Sequence, residues 1–179
     1  RDLVRSRGLG DVYKRQTDII IEHKKKKNKV IVVSSAMSGV TNDLIKKSKQ
    51  ISNNFIDSEY DVLVSSGEQV ACSLIAGRLN HKGFKSRSWL GWQIPIFTNG
   101  PYKNSRIQQV NKNKLLRFLK EGGIPIITGF QGVNMNERVT TIGRGGSDAS
   151  AIMIAKSFKA QRCIIYTDVE GVYTTDPNK

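Results

Sequence analysis

Arg144, Ser147 and Asp148 stand in one short run, Val139 to Ser157 (V-T-T-I-G-R-G-G-S-D-A-S-A-I-M-I-A-K-S), with glycines at 143, 145 and 146. These residue types suit anion binding. A guanidinium can grip a carboxylate or phosphate with two parallel hydrogen bonds. Glycines ahead of a helix leave backbone N–H groups open to an anion. The pattern predicts a strand end over Val139–Ile142, a turn, and a helix opening at Ser147-Asp148. Ile152, Met153, Ala155 and Phe158 give that helix one apolar side. Ser147 is expected as its N-cap and Asp148 as an acidic first-turn residue. The run is neither a Walker A loop nor a dinucleotide fingerprint, because Asp148 falls where G-x-G-x-x-G needs its last glycine. Taken alone it also reads as a tight turn with an exposed arginine, the commoner meaning of an isolated G-x-G-G. Its neighbours have to decide.

Two other polar groups stand at the ends of apolar segments. Lys29–Ser35 is a β-branched run, read as a buried parallel strand. It empties into Ala36-Met37-Ser38-Gly39-Val40, and Thr41-Asn42-Asp43 is expected to cap the helix that follows, through Ile51. Small hydroxylated residues such as Ser35 and Thr41, beyond a strand's carboxyl end, are where α/β sheets hold ligands. Ser66-Gly67-Glu68-Gln69 enters another helix, Gly67–Gly83. There Glu68 is by itself only an acid in a positive first turn.

The remaining chain must position these groups. Residues 1–16 show no period of 2 or 3.6 and read as a basic, unstructured leader. A helix end follows Thr17. Tyr60–Ser66 reads as a helix, Phe84–Trp92 as a strand and loop with Trp89 and Trp92 in the core, and Ile94–Thr98 as a short strand. Pro101–Gln109 reads as a polar loop, Asn111–Glu121 as an amphipathic helix, Ile124–Thr128 as a buried strand and Val133–Arg138 as a hairpin tip. Arg162–Thr167 reads as another buried strand. Strands alternating with helices predict an α/β fold, a three-layer α/β/α sandwich with a mostly parallel central sheet.

With 179 residues, one domain with a real core is expected. The net charge of +14 raises nucleic-acid binding. However, residues 1–30 hold ten basic and four acidic side chains, and the rest of the surplus is scattered lysine. With no RNA-binding aromatic signature, the surface reads as solvated, with no nucleic-acid partner. No apolar run is long enough to cross a bilayer, so no membrane partner is expected. Cys72 and Cys163 lie in apolar segments and read as reduced core thiols of a cytoplasmic protein. No metal-ligand spacing is present. His23 and His81 read as solvated.

Six pieces carry a resemblance: V-I-V-V-S-S-A-M-S-G-V-T-N, S-S-G-E-Q-V, G-W-Q, G-F-Q-G-V, T-T-I-G-R-G-G-S-D and Y-T-D-V-E-G-V-Y-T-T-D-P. Together, in this order, over about residues 17–179, they resemble the amino acid kinase superfamily and within it the aspartate kinases. The resemblance implies transfer of the ATP γ-phosphoryl to the side-chain carboxylate of L-aspartate, the first step toward lysine, methionine and threonine. It implies Arg144 holding a substrate carboxylate, Glu68 pairing with the α-ammonium and Thr41 adding a hydroxyl contact. Ser147 and the Gly145-Gly146 amides would line the acceptor site, with Ser35 near the transferring phosphate. Asp148, the catalytic candidate, would orient a cationic lysine on the phosphates, since a carboxylate acceptor needs no base. Thr167, Asp168, Val172, Tyr173, Asp176 and Pro177 match the family's ATP-side loop. Mg²⁺ is implied with ATP, and a homo-oligomer is implied for the full-length protein.

Departures from the family pattern shape three further expectations. The family's opening K-F-G-G loop has no match, so residues 1–16 are read as a non-native leader and 17–179 as a partial catalytic domain. The family's C-terminal ACT region is likewise unmatched. The chain by itself is expected to turn over slowly or not at all. Alternatives are a glutamate or acetylglutamate kinase, which Glu68 disfavours where the substrate amine is blocked, and a non-catalytic basic binding module.

Overall fold

The computed structural model describes residues 9–143 and 145–166. Helix α1 (Leu9–Lys25) is followed by β1 (Val32–Ser34), α2 (Val40–Ile51), α3 (Asp57–Val64), α4 (Ser66–His81) and β2 (Ser86–Trp89). Then come β3 (Ile96–Asn99), β4 (Arg106–Val110), α5 (Asn113–Lys120), β5 (Ile124–Thr128), β6 (Gln131–Val133), β7 (Val139–Thr141) and α6 (Gly146–Phe158).

The centre is a parallel sheet in the order β1-β5-β2. Strand β5, I-P-I-I-T, is buried along its whole length. Ile124 and Ile126 point to a cluster with Tyr13 and Ile20 of α1 and Ala71, Cys72, Ile75 and Leu79 of α4. Ile127 points the other way, to Trp89, Ile96, Leu115 of α5 and Ile154 of α6. Alternation along one strand therefore feeds two cores, with helices on both faces. This is the expected three-layer α/β arrangement. A second sheet, β4-β3-β6-β7, is mixed: β3 pairs parallel with β6, while β3–β4 and β6–β7 are antiparallel.

Several expectations are corrected. Residues 9–16 are helical, not unstructured. Tyr13, Thr17 and Ile20 recur at i, i+4 and i+7 and are all buried. The Thr17 hydroxyl donates to the Tyr13 carbonyl at 2.9 Å and accepts from Arg78 Nε at 3.0 Å, tying α1 to α4. The dense charges between these positions hid that face. Within Pro101–Gln109, residues from Arg106 form β4, whose polar sequence suits a strand with one exposed side. Residues 162–166 are exposed and form no strand, because none of the described strands pairs with them. Cys163 is accordingly exposed, while Cys72 lies in the core. Trp89 is buried as expected, but Trp92 is half exposed. Neither helix expected to carry a side-chain cap has one: α2 is capped by Gly39 and α6 by Gly145, both at positive φ. No helix among the described residues is long and apolar enough to cross a membrane.

Candidate functional site

Strands β1 and β5 end side by side, with the Gly129 N–H donating to the Ser34 carbonyl at 3.0 Å. Three segments meet beyond them: the β1–α2 turn, the first turn of α4 and the glycine-rich turn into α6. They enclose a cleft of about 310 Å³ lined by Ser35, Ala36, Thr41, Glu68, Phe130, Gly143, Gly145, Gly146, Ser147 and Asp148. A wider hollow of about 450 Å³ between β2 and α5 shares no lining residue with it and has no glycine turn.

Glu68 dominates the cleft's chemistry. It is 3% exposed. Its Oε1 accepts the Ala36 N–H at 3.2 Å, whereas Oε2 is buried without a partner among the described residues. Burial pushes its carboxyl up to about 7, against the lowering effect of the Ala36 N–H. One helical turn on, burial and the Glu68 charge push the Cys72 thiol up to about 12, so it is inert. An unpaired buried carboxylate oxygen facing a cleft is a receptor for a cation. Close packing sets its place: a Cβ on Gly67 would lie 2.9 Å from the Ala36 Cβ. Glycine there lets α4 approach the β1–α2 turn.

On the opposite wall, α6 opens at Gly146 with no side-chain cap, so its first N–H groups face the cleft's lining unclaimed by any side chain. Gly145 takes φ 73°, the left-handed turn that glycine adopts freely. Ser150 anchors this end. Its hydroxyl donates to the Gly146 carbonyl at 2.7 Å and accepts the Phe130 N–H at 3.2 Å. The wall thus offers amides and the Ser147 hydroxyl for an anion, facing a buried anionic side chain. A zwitterion matches that polarity.

The structure therefore brings Ser35, Thr41, Glu68, Gly145, Gly146, Ser147 and Asp148 to one cleft. Ser147 is a wall residue and not the expected N-cap. Arg144, Thr167, Asp168, Val172, Tyr173, Asp176 and Pro177 lie outside the described residues. Three contributors were not assigned from sequence: the Ala36 N–H, Phe130 and Gly143. A backbone donor has no side-chain signature. Phe130 sits at φ 63° directly after Gly129, in a turn that sequence marked without giving it a role.

The fold and cleft define an α/β protein with a candidate ligand site at the carboxyl edge of a parallel sheet. The sequence pattern of the Amino acid kinase family matches residues 5–179, and the chain belongs to that family. It is 48% identical over 158 residues to an aspartokinase of Geobacillus stearothermophilus, covering 88% of this chain and 39% of that protein. It is 46% identical over 170 residues to an aspartokinase of Rickettsia conorii, covering 93% of this chain and 42% of that one. The solved structure of E. coli aspartokinase III in complex with aspartate and ADP superposes with TM-score 0.79 at 25% identity, over 94% of this chain and 48% of that one. The chain thus spans about two fifths of the length of these relatives.

Proposed function

We propose that the cleft binds L-aspartate for phosphorylation of its side-chain carboxylate by ATP, the aspartate kinase reaction. The observation that carries this reading is the buried Glu68, whose Oε2 has no partner among the described residues, across from the glycine turn of α6. Glu68 takes the α-ammonium, Thr41 adds a hydroxyl, and the Gly145-Gly146 amides with Ser147 and Arg144 hold carboxylate. The acceptor is already ionised, so the protein's work is positioning and charge neutralisation. Ser35 lies on the phosphate side. Asp148, exposed in the first turn of α6, orients a lysine on the phosphates. Thr167, Asp168, Val172, Tyr173, Asp176 and Pro177 take the nucleotide. Relatives that carry the name aspartokinase and a structural neighbour holding aspartate and ADP support this reading.

Mg²⁺ enters this reading on the nucleotide's phosphates. Among the described residues no three His, Cys, Asp or Glu side chains gather to cage a metal. Mg²⁺ keeps several of its waters and binds phosphate oxygens. When bound it would neutralise phosphate charge. The same reading places a homo-oligomeric enzyme in the cytoplasm.

Calorimetric titration of L-aspartate, L-glutamate and N-acetyl-L-glutamate into the chain tests the substrate. L-Aspartate is expected to bind at least tenfold more tightly than the N-acetylated acid, which has no ammonium for Glu68. Equal affinity for the two, or no binding of L-aspartate, would remove the proposal.

A further inference from the structure

A second buried carboxylate lies away from the cleft. Asp61 of α3 is fully buried. Its Oδ2 accepts the Thr141 N–H at 2.7 Å, and its Oδ1 accepts the Thr141 hydroxyl at 2.7 Å. The Lys103 N–H forks between the two oxygens at 3.0 and 3.1 Å. Among the described residues no cation pairs with it. The Lys103 ammonium goes to Asp57, and the Arg138 guanidinium goes to Glu59. An anion buried on neutral donors alone is costly to keep. Burial accordingly holds its carboxyl above the usual range, with the hydrogen bonds opposing.

Where those donors sit is informative. Thr141 ends β7, two residues before Gly143 of the cleft. Its carbonyl accepts the Ser105 N–H at 2.9 Å, so the 101–105 turn and β7 are fastened together as well. A Cβ on Gly143 would lie 2.5 Å from Asn104 Oδ1, which shows how tightly that turn abuts the start of the glycine run. In the other direction, α3 passes through the single residue Ser65 into α4, which carries Glu68 in its first turn. The Ser65 carbonyl accepts Gln131 Nε2 of β6 at 3.0 Å, a second tie between the same bodies. One side chain therefore links α3, which runs directly into the helix that carries Glu68, to the strand that delivers the glycine turn.

We propose that Asp61 is a positioning residue: it holds the glycine-rich turn in register with Glu68, fixing the separation of the two walls. The inference rests on the aspartate reading for its functional consequence, and on geometry alone for its structural one. A carboxylate's two oxygens accept from all three donor groups at once. Alanine would strand the buried Thr141 N–H and take the acceptor from the Lys103 N–H. Asparagine would not, because the Thr141 hydroxyl can turn to accept its amide N–H.

Amide hydrogen exchange on the 179-residue chain tests this without ligand. In Asp61→Ala, exchange at the Ile142 and Ala149 N–H groups, which flank the turn and donate to the Phe130 and Gly145 carbonyls, is expected to quicken at least tenfold more than in β5, which reports global unfolding. Asp61→Asn should restore most of the protection. Thr141→Val, which loses one bond and keeps both backbone pairs, should quicken the two flanking groups about threefold and covers the case in which Asp61→Ala does not fold. L-Aspartate titration should then show affinity falling at least tenfold in Asp61→Ala and under threefold in Asp61→Asn. Exchange that rises equally at the flanking groups and in β5, in whichever of Asp61→Ala and Thr141→Val folds, would overturn the proposal. If the unsubstituted chain binds no aspartate, the substrate reading fails, while the exchange comparison still decides the role of Asp61.

Discussion

Glu68 shows how a residue can be costly to the fold and useful to the site. Its folded-state carboxyl is pushed up to about 7 by burial, from an ordinary 4.5. The folded chain therefore binds more protons than the unfolded chain between those values. The stability this brings is fully present below about pH 4.5 and is lost as pH rises through about 7. At pH 8 the buried charge weighs against folding by on the order of 3 kcal/mol. Glu68→Gln should be more stable than the parent by that order at pH 8, and the two should converge at pH 4, as read from urea unfolding at both. Ligand affinity should run the opposite way. In the parent, L-aspartate binding should strengthen as pH climbs through about 7, because only the carboxylate attracts an ammonium. In Glu68→Gln it should be at least tenfold weaker at pH 8 and flat across that range.

At the scale of elements, close approach and turn geometry do different work. A Cβ on Gly129 would meet Ser147 Oγ at 2.8 Å, its Cβ at 2.9 Å and its Cα at 3.0 Å. Backbone cannot step aside as a side-chain tip can, so Gly129→Ala should cost roughly 1–3 kcal/mol and push α6 off the end of β5. Gly145 has open space around its Cβ position but sits at φ 73°. Gly145→Ala should cost only about 1–2 kcal/mol, and Gly145→Asn less, since asparagine visits that region more readily. Thermal unfolding of the three variants would give the order.

Much of this level was legible in advance. Apolar runs marked β1 and β5, the segments read as strands at Phe84–Trp92 and Ile94–Thr98 hold β2 and β3, and the small and hydroxylated residues beyond β1 marked part of the cleft. What escaped were contacts without a local pattern. The helix over residues 9–16 buries one tyrosine between charged neighbours, and β4 carries only polar and one-sided apolar residues. Caps at Gly39 and Gly145 replaced those expected of Thr41-Asn42-Asp43 and Ser147, because a left-handed glycine turns the chain without a side-chain oxygen. Asp61 gave no signal at all: its partners are two backbone N–H groups and a hydroxyl 42 to 80 residues away.

For the whole molecule, burial and not composition separates the segments that hold the fold together from those that do not. The basic surplus is dispersed, with exposed pairs such as Lys26–Glu22, Lys46–Asp43 and Lys85–Glu121 in separate parts of the chain. Two isoleucine-rich segments make the sharper contrast. Both I-P-I-I-T at β5 and C-I-I-Y at 163–166 read as buried strands in sequence. The first lies between β1 and β2 and packs on both faces. The second pairs with none of the described strands, and Ile165 is 45% exposed. A β-branched run becomes a central strand only when a neighbour supplies its ladder, so identical residue types contribute unequally. Ile127, fully buried between Trp89, Leu115 and Ile154, should cost about 2–5 kcal/mol when cut to alanine. Ile165→Ser should change the same chain by under about 0.5 kcal/mol, as expected of a surface site. Urea unfolding followed by Trp89 fluorescence measures both. A loss above 2 kcal/mol for Ile165→Ser would mean that this run is buried in solution, and the β1-β5-β2 sheet would then need a further strand.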